Sequence, residues 1–484
     1  MIELRSLAGL APADCALVHD GVAFTGSALN RDAETVANAL SRGGVGSGHR
    51  VAVLQGNTPR FAACVLALMK IGASSVLLST RSTSREIADA VGRTGASMVL
   101  GNPDASARLS LVPGLAAAEA IEVSVGVGPI DVWHTPHRAA VARAGEVTVQ
   151  FTSGVSGRAK IVARTTANLE DELESFASHL GLAAADATVC PSPLSQTYGF
   201  VNGFLLPFFS GRTAILMDWF LPNGAAELVR RYRARVLVGV PTMYKAMVEA
   251  YGPVAADVSS LRLCFSAGAP LTPAVARDFE TRYGLDINQQ YGTTETGVIA
   301  VNLLDGLRDV LAIGRPVPGR EIDILDDHGS PVAPGECGHV VVRSAATAIE
   351  YLGDRDLSAE KFRDGRYLTG DVGSFNDGLL RVTGRRTAFI NVAGLKVDPQ
   401  EVERVLATCD AVAECAVVPM KDESCGEVVR AVIVIRTDTT VTKLQQFCRT
   451  RLAAHKVPRQ VTFVDALPRS PTGKVLLKDL IDSA

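Results

Sequence analysis

The first half of the chain alternates short apolar runs with longer stretches in which apolar residues recur at helical spacing. Short buried strands that alternate with helices are typical of a parallel, helix-covered sheet with right-handed crossovers. The predicted strands are 51–54, 75–78, 97–100, 235–240 and 261–265, and the predicted helices are 59–69 and 84–93. The pattern therefore predicts an α/β fold for this part of the chain.

The pattern changes after about residue 310, where short strands separated by glycine and proline take over. Residues 321–325 alternate polar and apolar side chains, as a half-exposed strand does. The end of the chain reads as a separate α+β unit. The other predicted elements are strands 338–342, 414–418, 429–435 and 460–464 and helices 399–407 and 441–454. We predict an N-terminal region 1–384, a hinge 385–387 in a polar break, and a C-terminal domain 388–484.

Length and composition narrow the class of protein. A chain of 484 residues is expected to hold two or more domains. Its net charge of −3, with both signs mixed, favours neither a nucleic-acid nor a membrane-surface partner. The nine cysteines form no CxxC pair, which argues against a zinc site, and their odd number without a signal peptide predicts reduced thiols. We expect a cytoplasmic protein.

Residues 152–160 follow an apolar run and combine glycines with hydroxyl side chains before Lys160. Such residues let backbone N–H groups approach phosphate oxygens, and the hydroxyls add further donors. The segment is not the loop of P-loop nucleotidases, because the spacing from Gly154 to Lys160 differs and no Ser or Thr follows the lysine. It therefore predicts a phosphate-binding loop of another kind.

Two more segments complete a characteristic order. Residues 291–297 read Tyr-Gly-Thr-Thr-Glu-Thr-Gly, and residues 468–474 read Pro-Arg-Ser-Pro-Thr-Gly-Lys. With the loop at 152–160, these segments resemble the superfamily of adenylate-forming enzymes: acyl-CoA synthetases, stand-alone and peptide-synthetase adenylation domains, and luciferases. In the loop, Val155 and Ala159 stand where the family commonly has Thr and Pro. The resemblance implies a large N-terminal region of α/β subdomains with a β-rich subdomain, and a small mobile C-terminal lid.

The resemblance also implies roles for individual residues. The face of Tyr291 would pack against adenine, Thr294 would donate to the α-phosphate, and Glu295 would ligate Mg²⁺. These roles suit an aromatic ring, a hydroxyl and a hard oxygen ligand. The segment 266–270 resembles the family's backbone wall beside the adenine. The implied nucleotide-binding residues are Thr152, Ser153, Gly154, Ser156, Gly157, Lys160, Gly268, Ala269, Pro270, Tyr291, Gly292, Thr293, Asp371 and Arg385.

Four positions beyond residue 367 match further family motifs. Asp371 would accept hydrogen bonds from the ribose hydroxyls, a task that suits a charged acceptor, and Arg385 would also contact the ribose. Gly394 would leave room for a pantetheine arm during the thioester step. Lys474 would reach the substrate carboxylate and the α-phosphate during adenylation, with Thr294 and Glu295 as its catalytic partners. The usual Asp or Lys of the family hinge is replaced by Thr387.

The acid-binding segment departs from the family pattern. Gln196 stands where many members have a histidine, and no acidic residue lies between Thr188 and Met217. Amino-acid-activating domains place an aspartate here, and a buried ammonium without a partner would be costly. An α-amino acid is therefore disfavoured. The expected acid pocket includes Ser195, Gln196 and Gly268, and Gln196 either hydrogen-bonds a hydroxyl or carbonyl of the substrate or fills space.

The predicted reaction joins a carboxylic acid and MgATP to give acyl-AMP, then transfers the acyl group to a phosphopantetheine thiol. The thiol belongs either to CoA or to a carrier protein acting in trans. The acid is expected to be an aryl or short acyl acid, with a β-amino acid as the main alternative. A luciferase-like oxygenase and a non-catalytic nucleotide-binding relative are two further alternatives. Lys160, Glu295, Asp371 and Lys474 argue against the second.

Overall fold

The structure is a computed structural model. It describes residues 16–123, 128–136, 141–152, 159–183, 186–250, 257–303, 309, 312–385, 390–392, 395–397, 399–422, 426–452, 454–470 and 475–482. The described residues form two compact units. The first holds those up to 152, 159–322 and 342–367, and the second holds 323–341 and those from 368 onward. The predicted hinge 385–387 and domain boundary stay predictions, because 386 and 387 lie outside the described residues.

Within the described residues, one sheet of the first unit has seven strands. Its order is Ala116–Ala117, Asp131–His134, Met98–Gly101, Arg50–Leu54, Ser74–Leu77, Glu146–Thr152 and Lys160–Thr165. The middle strands pair in parallel, with Ala52 opposite both Val76 and Val99. The parallel sheet predicted from the first apolar runs is therefore confirmed. Helices Gly26–Arg42, Pro59–Lys70, Ser84–Thr94 and Thr166–Leu180 accompany it, with short turns at Pro103–Ala105 and Ser106–Leu109.

A second set of strands in the first unit pairs side by side, with parallel pairs in the middle and antiparallel hairpins at both ends. Its order is Ala312–Pro316, Gly297–Val301, Asn288–Thr293, Leu263–Ser266, Val236–Gly239, Thr188–Cys190, Ala214–Leu216, Ala16–His19 and Val22–Thr25. Its helices are Leu206–Phe209, Pro222–Tyr232, Pro241–Glu249 and Pro273–Tyr283, with a π-helix at Gly199–Leu205. Helix Arg355–Lys361 and strand Phe362–Arg363 lie near the end of the unit. The predicted strands at 235–240 and 261–265 are confirmed to within two residues.

An aromatic cluster packs the π-helix against helix Pro59–Lys70. The ring of Phe61 lies 6.0 Å from the rings of both Phe200 and Phe204, in edge-to-face geometry. Phe204 in turn contacts Phe208 at 5.2 Å. These rings are fully buried, and rings of this size contribute much of the apolar area of a core. The cluster fixes the π-helix, which begins directly after the predicted acid-binding segment.

The second unit begins with strands Glu321–Leu325, Gly338–Arg343, Arg366–Asn376 and Leu379–Arg385, in which the first three pair in order and the last two form a hairpin. A further sheet has the order Leu395–Val397, Ile390–Val392, Gly426–Ile435 and Val412–Asp422, and Gln460–Phe463 pairs in parallel with Gly426–Ile435. Its helices are Pro399–Ala407, Val441–Arg449, the short turn Ala454–Lys456 and Leu477–Asp482. The predicted α+β character of this end of the chain is confirmed.

In the part of the chain that the structure describes, every helix is too short or too polar to cross a bilayer.

Candidate active site

Two of the predicted nucleotide-binding segments leave the sheet at the same edge. Strands Leu263–Ser266 and Asn288–Thr293 are parallel neighbours, with Phe265 opposite Asn288. The wall residues 268–270 follow the first strand, and Tyr291 lies near the end of the second. Gly268 adopts a positive φ of 81°, which favours glycine at this turn. Ligands of open α/β sheets bind at the carboxyl ends of strands, which is where both segments lie.

The turn after Tyr291 is closed by its own threonines. The backbone N–H of Thr293 donates to Thr296 Oγ1 over 3.3 Å, and the N–H of Thr296 donates to Thr293 Oγ1 over 3.2 Å. This reciprocal pair leaves Thr294 and Glu295 between its two ends. Thr294 is half-buried, whereas the Glu295 side chain is buried. The turn therefore presents one hydroxyl and one carboxylate from adjacent positions.

A buried ion pair supports this turn from the neighbouring helix. Glu172 accepts from Arg164 Nη1 over 2.6 Å and from the backbone N–H of Val298 over 2.8 Å. Both side chains are only 1% exposed. Gly297 has a φ of 67°, and a Cβ there would lie 2.4 Å from the Glu172 carboxyl carbon. A glycine is thus required at 297 by both conformation and space. This pair was not predicted, because its members are charged residues in ordinary strand and helix positions.

Tyrosine hydroxyls surround Glu295. Tyr351 donates to Glu295 Oε1 over 2.7 Å, and the hydroxyls of Tyr351 and Tyr367 lie 2.9 Å apart. Lys160 Nζ lies 3.5 Å from the Tyr351 hydroxyl and 4.8 Å from the centre of its ring. Burial, reinforced by the charge of Glu295, raises the pKa of Tyr367 well above its usual value, so this hydroxyl stays protonated. Lys160 and Glu295, far apart in sequence, thereby meet through a tyrosine that sequence reasoning did not single out.

The predicted phosphate-binding loop connects two antiparallel strands. Thr152 and Lys160 are directly opposite each other in this hairpin, so the residues between them form its connection. Ser153, Gly154, Ser156 and Gly157 lie outside the described residues. Arg93 donates to the carbonyl of Ala159 over 2.6 Å and lies over the ring of Phe151. Arg93 therefore contacts the hairpin on both sides of its connection, beside Thr152 and Lys160.

The acid-binding segment is held by two buried amides that were not predicted. Gln150 donates to the carbonyl of Ser195 over 3.3 Å and accepts from Thr197 Oγ1 over 2.9 Å. Gln196, between these two contacts, is half-buried. Asn57 holds the preceding residues. Its side chain donates to the carbonyls of Ser192 and Met217 and accepts from the N–H of Leu194, each within 2.9 Å.

The π-helix starts three residues after Gln196 and packs closely on the strand before it. A Cβ at Gly203 would lie 2.0 Å from Cys190 Sγ, so only glycine allows this approach. Within the described residues, the hydroxyl of Tyr198 and Oδ1 of Asn202 are buried without a hydrogen-bond partner. Single turns of π-helix occur often at functional sites, and buried polar atoms without partners are rare in folded proteins. Both features occur in the segment that directly follows the predicted acid-binding residues.

The two predicted ribose-binding positions are opposite each other in the second unit. Asp371 and Arg385 are opposite residues of the hairpin formed by Arg366–Asn376 and Leu379–Arg385. Asp371 is 4% exposed, and its N–H donates to Thr369 Oγ1 over 3.0 Å. Thr369 in turn donates to the carbonyl of Val340 over 2.8 Å. The Asp371 carboxylate is therefore carried on a backbone that is fixed on both sides.

Lys474 and Gly394 lie outside the described residues, and so does Thr387. The residues that flank Lys474 are described. Arg469 and Val475 form an antiparallel bridge, and the N–H of Leu476 donates to the carbonyl of Pro468 over 2.8 Å. Arg469 also pairs with Glu414 over 2.7 Å. Lys474 thus belongs to a short connection whose two ends are fixed to each other.

The donor set at Glu295 fits a hard cation. A carboxylate and neutral hydroxyls are oxygen ligands of the kind that Mg²⁺ prefers, and Thr294 adds a hydroxyl at the next position. A buried carboxylate needs compensation, which the tyrosine bonds supply in part and a bound cation would complete.

Comparison with known proteins identifies the family. Residues 6–352 match the AMP-binding enzymes, and residues 401–474 match the AMP-binding enzyme C-terminal domain. A feruloyl-CoA synthase from Amycolatopsis sp is 32% identical over 475 residues, covering 97% of this chain and 96% of its own. The fatty acid–[acyl-carrier-protein] ligase ScoC from Streptomyces coeruleorubidus is 29% identical, covering 97% and 93%.

The fold comparison agrees. The crystal structure of ATP-bound MatB from Rhodopseudomonas palustris has a TM-score of 0.87 over 99% of this chain and 98% of its own, at 24% identity. The predicted α/β region with a small C-terminal domain is confirmed, and so is the prediction of an AMP-forming acid–thiol ligase at the level of the family. The chain belongs to the AMP-binding enzymes, the adenylate-forming superfamily.

Proposed function

We propose that this protein activates an aryl or short acyl carboxylic acid in two steps. The carboxylate first attacks the α-phosphate of ATP, giving acyl-AMP and pyrophosphate. A phosphopantetheine thiol of CoA or of a carrier protein then attacks the acyl carbon, giving the thioester and AMP. One observation carries this proposal: the turn that presents Thr294 and Glu295 is joined through Tyr351 to Lys160, at the base of the phosphate hairpin.

The predicted nucleotide-binding and catalytic residues act in the first step. Tyr291 stacks on the adenine beside the wall at 268–270, and Asp371 and Arg385 bind the ribose. Thr294 donates to the α-phosphate, while the hairpin 152–160 holds the remaining phosphates through backbone N–H groups and Lys160. When bound at Glu295, Mg²⁺ would neutralise phosphate charge. Lys474 stabilises the charge that develops at the pentacoordinate phosphorus, as a preorganised donor does.

The second step uses another face of the C-terminal domain. Gly394 leaves room for the pantetheine arm while Lys474 is withdrawn. Dividing the reaction in this way is chemically useful, because a carboxylate is a poor acyl donor and acyl-AMP must be protected from water. The feruloyl-CoA and carrier-protein ligases among the relatives support CoA and a carrier protein, respectively, as acceptors.

The acid pocket supports a neutral substrate with a polar substituent. Gln196 is neutral, and the buried unpaired atoms on Tyr198 and Asn202 are a hydroxyl and an amide oxygen. A hydroxylated aryl acid supplies both a donor and an acceptor to such atoms. The feruloyl-CoA synthase among the relatives supports the same class of substrate. A β-amino acid is the alternative, and its ammonium would need an acidic partner from outside residues 188–217.

Pyrophosphate exchange tests the proposal most directly. The assay is run with hydroxylated aryl acids, their deoxy analogues, short and long acyl acids, β-amino acids and α-amino acids. We expect ATP-dependent exchange with aryl or short acyl acids, and thioester formation when CoA or a phosphopantetheinylated carrier is added. Exchange with an α-amino acid alone would overturn the proposed pocket. Absence of exchange with every acid would refute the ligase activity.

Gln196 offers a sharper test of substrate choice. If its amide binds a substrate hydroxyl, Gln196→Leu should reduce kcat/KM for the hydroxylated acid by about 5- to 150-fold relative to the deoxy analogue, since an unmade buried hydrogen bond costs ~1–3 kcal/mol. The measurement is exchange with both acids. Gln445→Leu, at a half-buried glutamine of the second unit, is the control and should change neither. An equal loss for both acids would assign Gln196 a space-filling role.

Asp371→Ala should mainly raise the KM for ATP, because ribose contacts are made in the ground state and the transition state alike. Wild-type enzyme should distinguish ATP from 2′-deoxy-ATP, and the variant should lose most of that distinction. The measurement is exchange at varied nucleotide concentration, with unfolding curves to check the fold. A folded variant with the wild-type KM and the wild-type preference for ATP would contradict the ribose assignment.

A further inference from the structure

The segment 346–352, here called the bridging segment, connects the two charged groups of the site through its main chain. The N–H of Ala348 donates to the carbonyl of Glu295 over 2.7 Å. The N–H of Leu352 donates to the carbonyl of Ile161, the residue after Lys160, over 2.9 Å. Tyr351 lies on this segment, so its backbone is fixed with respect to both the turn of Glu295 and the strand of Lys160.

The side chain of Tyr351 also connects Glu295 and Lys160, through its hydroxyl group. Its hydroxyl donates to Glu295 Oε1, contacts the Tyr367 hydroxyl, and lies 3.5 Å from Lys160 Nζ. The ring of Phe362 contacts both tyrosine rings, with centroid distances of 5.2 Å to Tyr351 and 4.9 Å to Tyr367. Tyr351 is 2% exposed and Tyr367 3%. Both hydroxyl positions are therefore set by a rigid aromatic cluster.

Packing alone does not explain two hydroxyls in this cluster. Their neighbours include Val162, Ala348, Leu357 and Phe362, all apolar, against which phenylalanine would pack as well. Burying a hydroxyl is unfavourable unless it is hydrogen-bonded. The bonds that compensate it here run to Glu295 and to the other tyrosine. The polar groups are thus directed at the carboxylate.

We propose that Tyr351, backed by Tyr367, is a positioning residue that fixes the Glu295 carboxylate for a divalent cation and links it to Lys160. This inference rests on the proposed role of Glu295 as a metal ligand. Tyr351 acts by holding one carboxylate oxygen in place, so that the carboxylate does not have to reorient when the cation binds. Tyr367 keeps the Tyr351 hydroxyl directed at that oxygen.

Tyr351→Phe and Tyr367→Phe test the proposal, because each removes a single hydroxyl and keeps the ring. Two quantities are measured: the Mg²⁺ concentration for half-maximal pyrophosphate exchange, and Mn²⁺ binding by electron paramagnetic resonance with a non-hydrolysable ATP analogue. Tyr351→Phe should weaken both by about tenfold or more, the scale of a hydrogen bond to a charged group. Tyr367→Phe should weaken both by less, since it acts through Tyr351.

Tyr283→Phe is the matched control. The Tyr283 hydroxyl donates to the carbonyl of Met247 over 2.8 Å, so its loss removes a similar bond elsewhere in the first unit. It should lower the unfolding temperature slightly and leave metal binding unchanged. In a Glu295→Gln background, Tyr351→Phe should have little further effect on metal binding, because the two residues act as a unit.

Three results would overturn the inference. The first is a Tyr351→Phe enzyme with wild-type Mn²⁺ binding, whatever its activity or unfolding temperature. The second is a full, additive effect of Tyr351→Phe in the Glu295→Gln background. The third is unchanged Mn²⁺ binding in Glu295→Gln itself. Failure of the proposed function is a separate result, since it would appear as wild-type enzyme that binds Mn²⁺ and nucleotide but exchanges pyrophosphate with no acid.

Discussion

Lys474→Ala is expected to slow acyl-AMP formation by about 10²–10³-fold or more, the usual effect of removing one preorganised donor from a transition state. Thioester formation from supplied acyl-AMP should be much less affected, because the second step uses another face of the C-terminal domain. The two half-reactions are measured separately: pyrophosphate exchange for the first, and single-turnover thioester formation from synthetic acyl-AMP for the second.

The size of this effect depends on where the ammonium acts. A lysine on an exposed surface is solvated, and removing it changes little. Lys421 is such a residue in the same unit, and Lys421→Ala should leave both half-reactions near wild type. If Lys474→Ala slows both half-reactions equally, the C-terminal domain does not use two faces. If neither slows, Lys474 has no catalytic role.

Helices and strands whose apolar residues recur at a regular spacing were predictable from the sequence. The helix predicted at 399–407 is observed as Pro399–Ala407, because a proline at its first position and a regular apolar stripe mark it. The helix predicted at 441–454 ends at Arg449 instead. The N–H groups of both Arg451 and Leu452 donate to the carbonyl of Cys448, which tightens the chain into a turn. Leu452 is buried through that turn and so continues the apolar pattern without continuing the helix.

The ends of strands were predicted less well, because the apolar pattern does not show where pairing between strands stops. The strand predicted at 414–418 extends from Val412 to Asp422, and its partner extends from Gly426 to Ile435. The additional residues include Lys421 and Asp422, which are polar and which the apolar pattern excluded. They are strand because the hairpin continues their hydrogen-bonded ladder. Pairing between strands therefore decides their length where burial does not.

The residues of the candidate site also fall into two groups, those that the sequence could predict and those that it could not. The segments around Lys160, Glu295 and Asp371 could be found because each is a local motif of small, hydroxylated and charged residues. Their supports could not be found, because Asn57 contacts Ser192 across 135 positions and Tyr351 contacts Glu295 across 56. A single polar residue in a helix or strand pattern reads as a surface residue. Its partner becomes visible when the fold brings the two together.

Glu172 is the support whose loss should cost most. Glu172→Ala would leave the buried Arg164 charge without its partner and the Val298 N–H without an acceptor. Breaking one side of a buried ion pair usually costs about 3–5 kcal/mol of unfolding free energy. We therefore expect a loss of that size in denaturant unfolding. ATP binding should weaken further than this instability explains, because the turn carrying Thr294 and Glu295 loses its anchor.

Glu146→Ala is the matched control for this prediction. Glu146 forms a bidentate pair with Arg50, at 2.7 and 2.8 Å, and is buried to the same degree, but it lies at the far end of the strand that leads to the phosphate hairpin. Its loss should lower the unfolding free energy to a similar extent and leave the KM for ATP closer to wild type. Glu34→Ala breaks an exposed pair with Lys70 and should cost less than about 1 kcal/mol. Equal changes in ATP KM for Glu146→Ala and Glu172→Ala would show that Glu172 stabilises the fold without positioning the turn. Glu172→Gln separates the effects of the two contacts that Glu172 makes. Its amide oxygen can still accept from the N–H of Val298, whereas the negative charge opposite Arg164 is removed.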